Sequence, residues 1–543
     1  MRQGKTRSSP DDRSADPDGR FGFQEDRFAL RDDVRLEVDG TSVALTSPVS
    51  TFTLRGVGPG VIAALRRLAA GSVPFTEVTR GLAAGERARF DMVLGRIGHL
   101  LVHGVALNGR ELLRVEHTAR DASYEVAELT GLSGSTGLSG PTGLSGLPAD
   151  SLLRLSRFAF CRSRADTLVL ESPLCKVRML LVTPGARELV AALGSASAPG
   201  ELRVDGLSPA EITCLLGHLV GAGFVEVGGP GASGAAFPED ADPVLRQWDF
   251  HDLLFHSRIR TGRDDAPVGG VFPHLGELDP QPAVKPLPQG PVVPLHRPSL
   301  EEIAARDPVL TAAVEGRRSL REYGESPPTA EQLGEFLYRT GRVRVHFEPG
   351  PGEQPGGEIV GRPYPNGGSA YELELYLTVR RCAGLDPGIY YYDPVGHQLI
   401  LVNTDAGDRQ AMLTVAALSA GLTTDPDVLI TMTSRFQRMS WKYSGIAYAT
   451  TLRHTGVLYQ TMYLVAAAMR LAPCGLGIGN ADLAARVLGL DYLRESSVGD
   501  FILGSRPDAD PGIWDAAQGW NYVNDAEWAA WAGSRLNRRA DGS

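Results

Sequence analysis

Lys442 and Tyr443 stand side by side behind Trp441 in SWKYSGIAYATTLRHTG, residues 440–456, where a helical apolar pattern begins. An amine next to a phenol can share a proton. A nearby ammonium stabilises phenolate and lowers a tyrosine pKa from its reference value of ~10. The same pair also fits a solvated lysine beside a packed tyrosine, and the residues alone leave both readings open. Upstream, GRRSLREYG places Arg317, Arg318 and Arg321 around Ser319. Guanidinium forks match phosphate oxygens and a serine adds a further hydrogen bond, although an exposed helix end has the same composition. In RPYPNGGSAYELELYL, Pro365, Asn366, Gly367 and Gly368 form a turn before a strand. Glycines there let backbone N–H groups approach a flat ligand, although such a stretch is more often only a turn. Finally, CGLGIGNADLAARVLG carries Gly475, Leu476 and Gly477. A dinucleotide fingerprint needs a strand before its glycines, and the pattern here predicts a buried helix instead, so a Rossmann site is not expected.

The elements that must position these groups lie after residue 298. SLEEIAARDPVLTAAVEGRRSLREYG is helical, with a capping box from Ser299 to Glu302, and TAEQLGEFLYRTGRV is a second capped helix. YELELYLTV (371–379) alternates like a strand, and GIYYYDPVGHQLILV predicts a hairpin turning at Asp393 to Gly396. DVLITMTS reads as a strand, TGVLYQTMYLVAAAMRL as a buried helix, and SVGDFILGSRP, with Arg506, as a last strand. Strands and helices mix without βαβ alternation, so the class is α+β.

The chain of 543 residues is too long for one core, and ~150 residues per domain predicts three or four units. A net charge of −10 argues against nucleic acid as a partner, which needs a basic face. Five scattered cysteines without a CxxC fit a reducing cytoplasm and argue against a zinc site. No run of about 18 apolar residues is present, so no membrane association is expected. Residues 1–20 read as a disordered tail. TGLSG occurs three times within 130–146, which makes 129–150 a flexible linker. On either side, RFALRDDVRLEV and RFAFCRSRADTLVLESP open two similar stretches, which close with GHLLVHGVAL and GHLVGAGFVEV. We read 21–128 and 151–228 as an internal duplication of winged-helix-like units, able to accept a peptide as an edge strand. Residues 229–298 form a Pro/Gly-rich connector with a docked segment, WDFHDLLFHSRIRTGR, at 248–263, and the largest domain spans 299–543.

In this order and spacing, the R-R-S-x-R cluster, the Pro/Gly turn, the helix running into G-L-G and the closing FILGSRP resemble the nitroreductase-like flavoproteins over roughly residues 300–510. The docked segment, LELYLTV…GIYYYDPVGHQLILV, the Lys-Tyr pair and RHTG…YLVAAAMRL are most similar to the SagB/McbC-type peptide dehydrogenases. The resemblance implies a nitroreductase-like FMN domain behind two tandem winged-helix-like domains, a homodimer, and a cytoplasmic enzyme that oxidises thiazoline or oxazoline rings of a ribosomally made precursor peptide. A cyclodehydratase is the implied partner. Arg317, Arg318, Ser319 and Arg321 would hold the FMN phosphate and ribityl chain, with Arg506 reaching the phosphate. Pro365, Asn366, Gly367 and Gly368 would lie against the flavin ring, with Gly475, Leu476 and Gly477 near it. Asn366 stands where many relatives carry a serine. Lys442 and Tyr443 would supply the base, one activating the other in an order the sequence does not set. An NAD(P)H-dependent nitro or quinone reductase is the alternative, but it leaves the long N-terminal half unexplained.

Overall fold

In this computed structural model, residues 24–48, 50–119, 122, 150–231, 234–264, 266–350, 357–507 and 526–537 are described below. The tail 1–20 and almost all of the 129–150 linker lie outside the described residues. The chain divides into two compact units, Met1–Pro267 and Val268–Ser543.

In the first unit one order of parts occurs twice. Strand Gln24–Leu30 precedes a three-stranded meander, Arg35–Asp39, Ser42–Ser47 and Ser50–Leu54. Helices Pro59–Ala70 and Ala84–Ile97 follow, then the hairpin Leu101–Leu107/Arg110–His117. The first strand pairs with both Leu101–Leu107 and the short Val73–Pro74. In the second set, Leu152–Leu155 pairs with Val225–Gly231, and Leu153 bridges to Ser197. Between them come the strands Phe160–Arg164, Thr167–Glu171 and Val177–Leu181 and the helices Pro184–Ala192 and Pro209–Gly221. The Ser208 hydroxyl and Glu211 close a reciprocal capping box at the start of the latter helix.

The two sets are joined more closely than beads on a tether. Arg110–His117 pairs antiparallel with Val177–Leu181, so strands from both sets share one seven-stranded sheet. Across this seam the buried carboxylate of Glu116 takes two bonds from Arg164, at 2.8 and 2.6 Å, with Arg178 at 3.5 Å. The 248–263 island is the helix Phe250–Arg258, capped by Asp249. It docks on this same unit: Arg258 pairs with Glu171 at 3.4 Å and with Asp264, and Arg263 donates to the carbonyls of Pro173 and Leu174.

The second unit is built on a seven-stranded antiparallel sheet. Its central strands, Leu373–Val379 and Val428–Arg435, are buried at every residue. Alternation along them separates two cores rather than core from water. Leu373, Leu375, Leu377, Ile430 and Met432 meet Leu333, Phe336 and the long helix Ala447–Ala468 on one face. Tyr376 and Leu429 meet helices Ala406–Ala420 and Ala481–Leu488 on the other. The predicted hairpin is present as Gly388–Asp393 and Gln398–Asn403.

Two expectations change. The proline-rich stretch does not stand apart as a connector up to 298: from Val268 on it belongs to the second unit. Its strand Val292–Pro294 joins the sheet edge, Ala283 is fully buried, and Arg435 donates to the carbonyls of Pro282 and Ala283. Prolines donate no N–H, but their carbonyls accept, and buried guanidiniums supply the donors. Also, the long helix does not run straight into G-L-G. It ends near Met469, and Leu471–Leu476 is a strand that pairs with Glu495–Ser505. The first of the glycines, Gly475, therefore lies within a strand, but it is an antiparallel edge strand, which still excludes the parallel dinucleotide fold.

Candidate active site

The 365–371 turn places three residues in the left-handed region: Gly368 at φ 61°, Ser369 at 51° and Tyr371 at 45°. Side chains pay for such angles, and they persist only where their surroundings over-determine them. Asn366 does much of this: its amide oxygen accepts from the Tyr371 N–H at 3.0 Å and its nitrogen reaches Glu372 at 3.1 Å. A serine could not span both, which gives a physical role to that departure from the family pattern. His454 of the long helix accepts from the Gly367 N–H at 2.8 Å through Nε2, so its proton sits on Nδ1, 2.8 Å from Glu372. Glu372 is fully buried. Burial acts to raise its carboxyl, but the His454 and Asn366 hydrogen bonds outweigh it and leave the group below the ordinary value. Sequence reasoning did not assign Glu372 or His454. The only signals were a carboxylate at the head of a core strand and a histidine inside RHTG.

Lys442 and Tyr443 converge on this turn. Lys442 Nζ donates to the Gly368 carbonyl at 3.1 Å. A Cβ on Gly368 would lie 2.3 Å from the Tyr443 hydroxyl and 2.5 Å from Lys442 Nζ. Only glycine leaves room for amine and phenol over the turn. Trp441 anchors the pair from below: its indole donates to the Leu278 carbonyl at 2.7 Å, and its ring meets Phe272 edge-on. The Lys442 carbonyl in turn accepts from the Phe272 N–H at 3.1 Å. The electrostatics reverse the sequence expectation. Burial and the Arg438 guanidinium push the Lys442 amine below its usual range, while burial and the Glu372 charge push the Tyr443 phenol up. The buried Glu372 carboxylate resists a second anion beside it, so the neutral amine is the proton acceptor this environment favours.

The other two clusters meet further along the same helix. The Ser319 hydroxyl lies 2.7 Å from the hydroxyl of Tyr463, which accepts from the Gly475 N–H at 2.7 Å. The Arg317 guanidinium lies 5.2 Å from the Tyr463 ring centroid. Tyr459, one turn earlier, donates to the Leu476 carbonyl at 3.1 Å. Gly477 is exposed with open space where a side chain would stand. Arg318 and Arg506 come together with Arg470, which the sequence reading did not select. Burial and these two neighbouring cations lower Arg506 to about 10. Arg470 Nη1 is buried without a hydrogen-bond partner among the described residues. Like charges held this closely fit an anion such as a phosphate. Arg321 is exposed. Tyr463 and His454 stand nine residues apart on one helix, roughly 14 Å. The cationic end, the open glycines and the acid–base pair are the parts a flavin phosphate and ring require, and the residues present fit that group.

Comparison with known proteins agrees with this architecture. Residues 314–505 match the nitroreductase family, and residues 153–265 match the cyanobactin oxidase ThcOx. The protein MJ1384 of Methanocaldococcus jannaschii, named as a nitroreductase, is 25% identical over 189 residues, 35% of this chain and 85% of its own length. The trifolitoxin-processing protein TfxB of Rhizobium leguminosarum bv. trifolii is 28% identical over 163 residues, 30% of this chain and 39% of that protein. Among solved structures, a protein described as a nitroreductase from Anabaena variabilis aligns with a TM-score of 0.33 at 19% identity, covering 53% of this chain and 54% of that one. A chain of the Escherichia coli microcin synthetase McbBCD complex aligns with a TM-score of 0.28 at 18% identity, covering 39% of this chain and 98% of that one. The second unit thus holds a nitroreductase-family oxidoreductase domain. The cyanobactin oxidase match at 153–265 and the similarity to TfxB extend the likeness beyond that domain's family. No helix among the described residues is long and apolar enough to cross a membrane.

Proposed function

We propose that the protein is an FMN-dependent dehydrogenase that converts thiazoline or oxazoline rings of a ribosomally synthesised peptide into thiazoles or oxazoles. The observation that carries this reading is the presence, in one chain, of a cyanobactin oxidase match at 153–265 and a nitroreductase domain at 314–505. A reductase of small molecules has no use for the first. The similarity to a trifolitoxin-processing protein points the same way.

Aromatising the ring removes a proton from the carbon that was the residue's Cα and a hydride from the neighbouring ring carbon. Bound flavin supplies the hydride acceptor. Lys442, with its amine displaced toward neutrality, takes the proton, and Tyr443 stays protonated beside it as a hydrogen-bond donor. Gly367 and Gly368 present an exposed backbone against which a flat ring can lie. Arg317, Arg318, Ser319, Arg470 and Arg506 hold the phosphate and ribityl end. We infer that the twice-repeated order of parts in the first unit is a pair of winged-helix-like modules that capture the precursor peptide or a cyclodehydratase. We also propose that the enzyme acts as a cytoplasmic homodimer.

Mass spectrometry of an azoline peptide incubated with flavin-loaded protein tests the reading. A loss of about 2 Da per ring supports it. An unchanged peptide, with NADH consumed in the presence of a nitroarene, replaces it with the reductase alternative.

A further inference from the structure

Residues 268–278, a strap at the start of the second unit, run alongside the acid–base pair and are bonded to its backbone. Gly269 and Ser444 exchange both of their backbone hydrogen bonds, each at 3.1 Å, and the Phe272 N–H reaches the Lys442 carbonyl. A Cβ on Gly270 would lie 3.6 Å from the Tyr443 ring. Further on, the Leu278 carbonyl accepts from the Trp441 indole. Between these ties Phe272 adopts a left-handed φ of 49°. A bulky side chain rarely does so, and such an angle persists only where its surroundings impose it. If the chain needed only the bend, glycine or asparagine would make it with less strain. That phenylalanine stands there points to a use for its ring.

The position of the ring shows what it can touch. It is half-buried and edge-on to Trp441, and its centroid lies 5.7 Å from Lys442 Nζ. Beside the amine, the Gly368 carbonyl accepts a hydrogen bond at 3.1 Å, and the Tyr443 hydroxyl shares the space over Gly368. A carbon that gives its proton to this amine must come within about 3–3.5 Å of Nζ. The rest of a five-membered ring extends beyond that carbon, and the Phe272 ring is an aromatic face for it to lie against. Such a face distinguishes the two azolines. A ring sulfur is polarisable and gains from contact with an aromatic ring at ~5 Å, whereas a ring oxygen brings no comparable gain.

We propose that Phe272 contacts the substrate ring beside Lys442 and is a specificity-determining residue that favours thiazoline over oxazoline. The proposal rests on the peptide dehydrogenase reading of the site. It extends that site to a residue of the strap, a stretch whose composition alone reads as connector.

Two synthetic peptides test it, identical apart from one thiazoline or one oxazoline between glycines. Binding to the flavin-loaded full-length protein is measured by calorimetry and turnover by mass spectrometry. Wild type is compared with Phe272→Tyr, which keeps the ring, Phe272→Leu, which keeps apolar bulk without an aromatic face, and Phe272→Asn, which suits the left-handed backbone. Wild type and Phe272→Tyr are expected to bind the thiazoline peptide about three- to tenfold more tightly than the oxazoline peptide. Phe272→Leu and Phe272→Asn should bring the two within about twofold, with flavin content retained in at least one of them. The ratio is the decisive readout. A residue that only braces Trp441 would weaken both peptides alike and leave the ratio unchanged, and that outcome overturns the proposal. So does wild type that shows no preference or the reverse one, and if it still oxidises both rings the dehydrogenase reading stands without the contact. A ratio lost in the ring-less variants, with neither ring oxidised by wild type, supports the contact and removes the dehydrogenase reading instead. Wild type that binds neither peptide overturns both.

Discussion

At the scale of single residues, the site depends on which of two neighbouring groups sheds its proton more readily. Lys442 is displaced toward its neutral form and Tyr443 toward its protonated form. Lys442→Ala is therefore expected to lower azoline oxidation by about 10²–10⁴-fold at unchanged flavin content, with Tyr443→Phe costing much less. With the neutral Lys442 amine proposed as the base, the rate should rise with pH and level off below the usual lysine value. Stopped-flow flavin reduction across pH reads this directly, and a larger loss in Tyr443→Phe than in Lys442→Ala would reverse the roles. Asp500 gives a stability prediction. Burial raises its carboxyl to about 6 against the Thr431 hydrogen bond. A folded-state pKa above the unfolded value means that the ionised group costs stability. The cost is absent below the ordinary carboxylate value, grows as pH rises to about 6 and is complete above it. Asp500→Asn should stabilise the protein by about 2–3 kcal/mol at pH 7 and by almost nothing near pH 4, as measured by urea unfolding.

Among elements, the long helix does most of the assembling. Tyr463 holds Ser319 to one side and the Gly475 backbone to the other, while His454 holds the 365–371 turn. Tyr463→Phe keeps the ring but removes both bonds and leaves a backbone N–H unsatisfied. A loss of ~1 kcal/mol in flavin binding, near fivefold in Kd by fluorescence titration, is expected. Undiminished flavin affinity would separate the arginine cluster from the glycine strand. The sequence carried the helix, the hairpin and the central strands plainly, because periodicity and turn residues are local signals. It did not carry the coupling through Tyr463, whose partners lie 144 and 12 positions away. Nor did it carry the proline-rich strap beneath Trp441, where composition indicates an extended chain but not what that chain touches.

For the whole molecule, the two compact units invite separate tests. Glu116 is 3% exposed and neutralises Arg164 and Arg178 across the seam between the repeated sets. Glu116→Gln leaves those partly exposed guanidiniums short of a counter-charge and should destabilise the first unit by about 1–3 kcal/mol. Calorimetry should show an early transition while the flavin spectrum persists. Loss of flavin in the same step would mean that the units unfold together.

The kind of residue at each position fixed the α+β class, the arginine cluster, the glycine turn and the adjacent amine and phenol, because those depend on composition and short spacing. The tertiary structure decided the rest. It set Glu372 and Arg438 around the pair and so lowered the amine and raised the phenol, an order the sequence leaves open. It brought Arg470 to Arg318 and Arg506 and merged two repeated sets into one sheet. Each of these arises between residues far apart in the chain, where burial and charge are set by neighbours that no local pattern names.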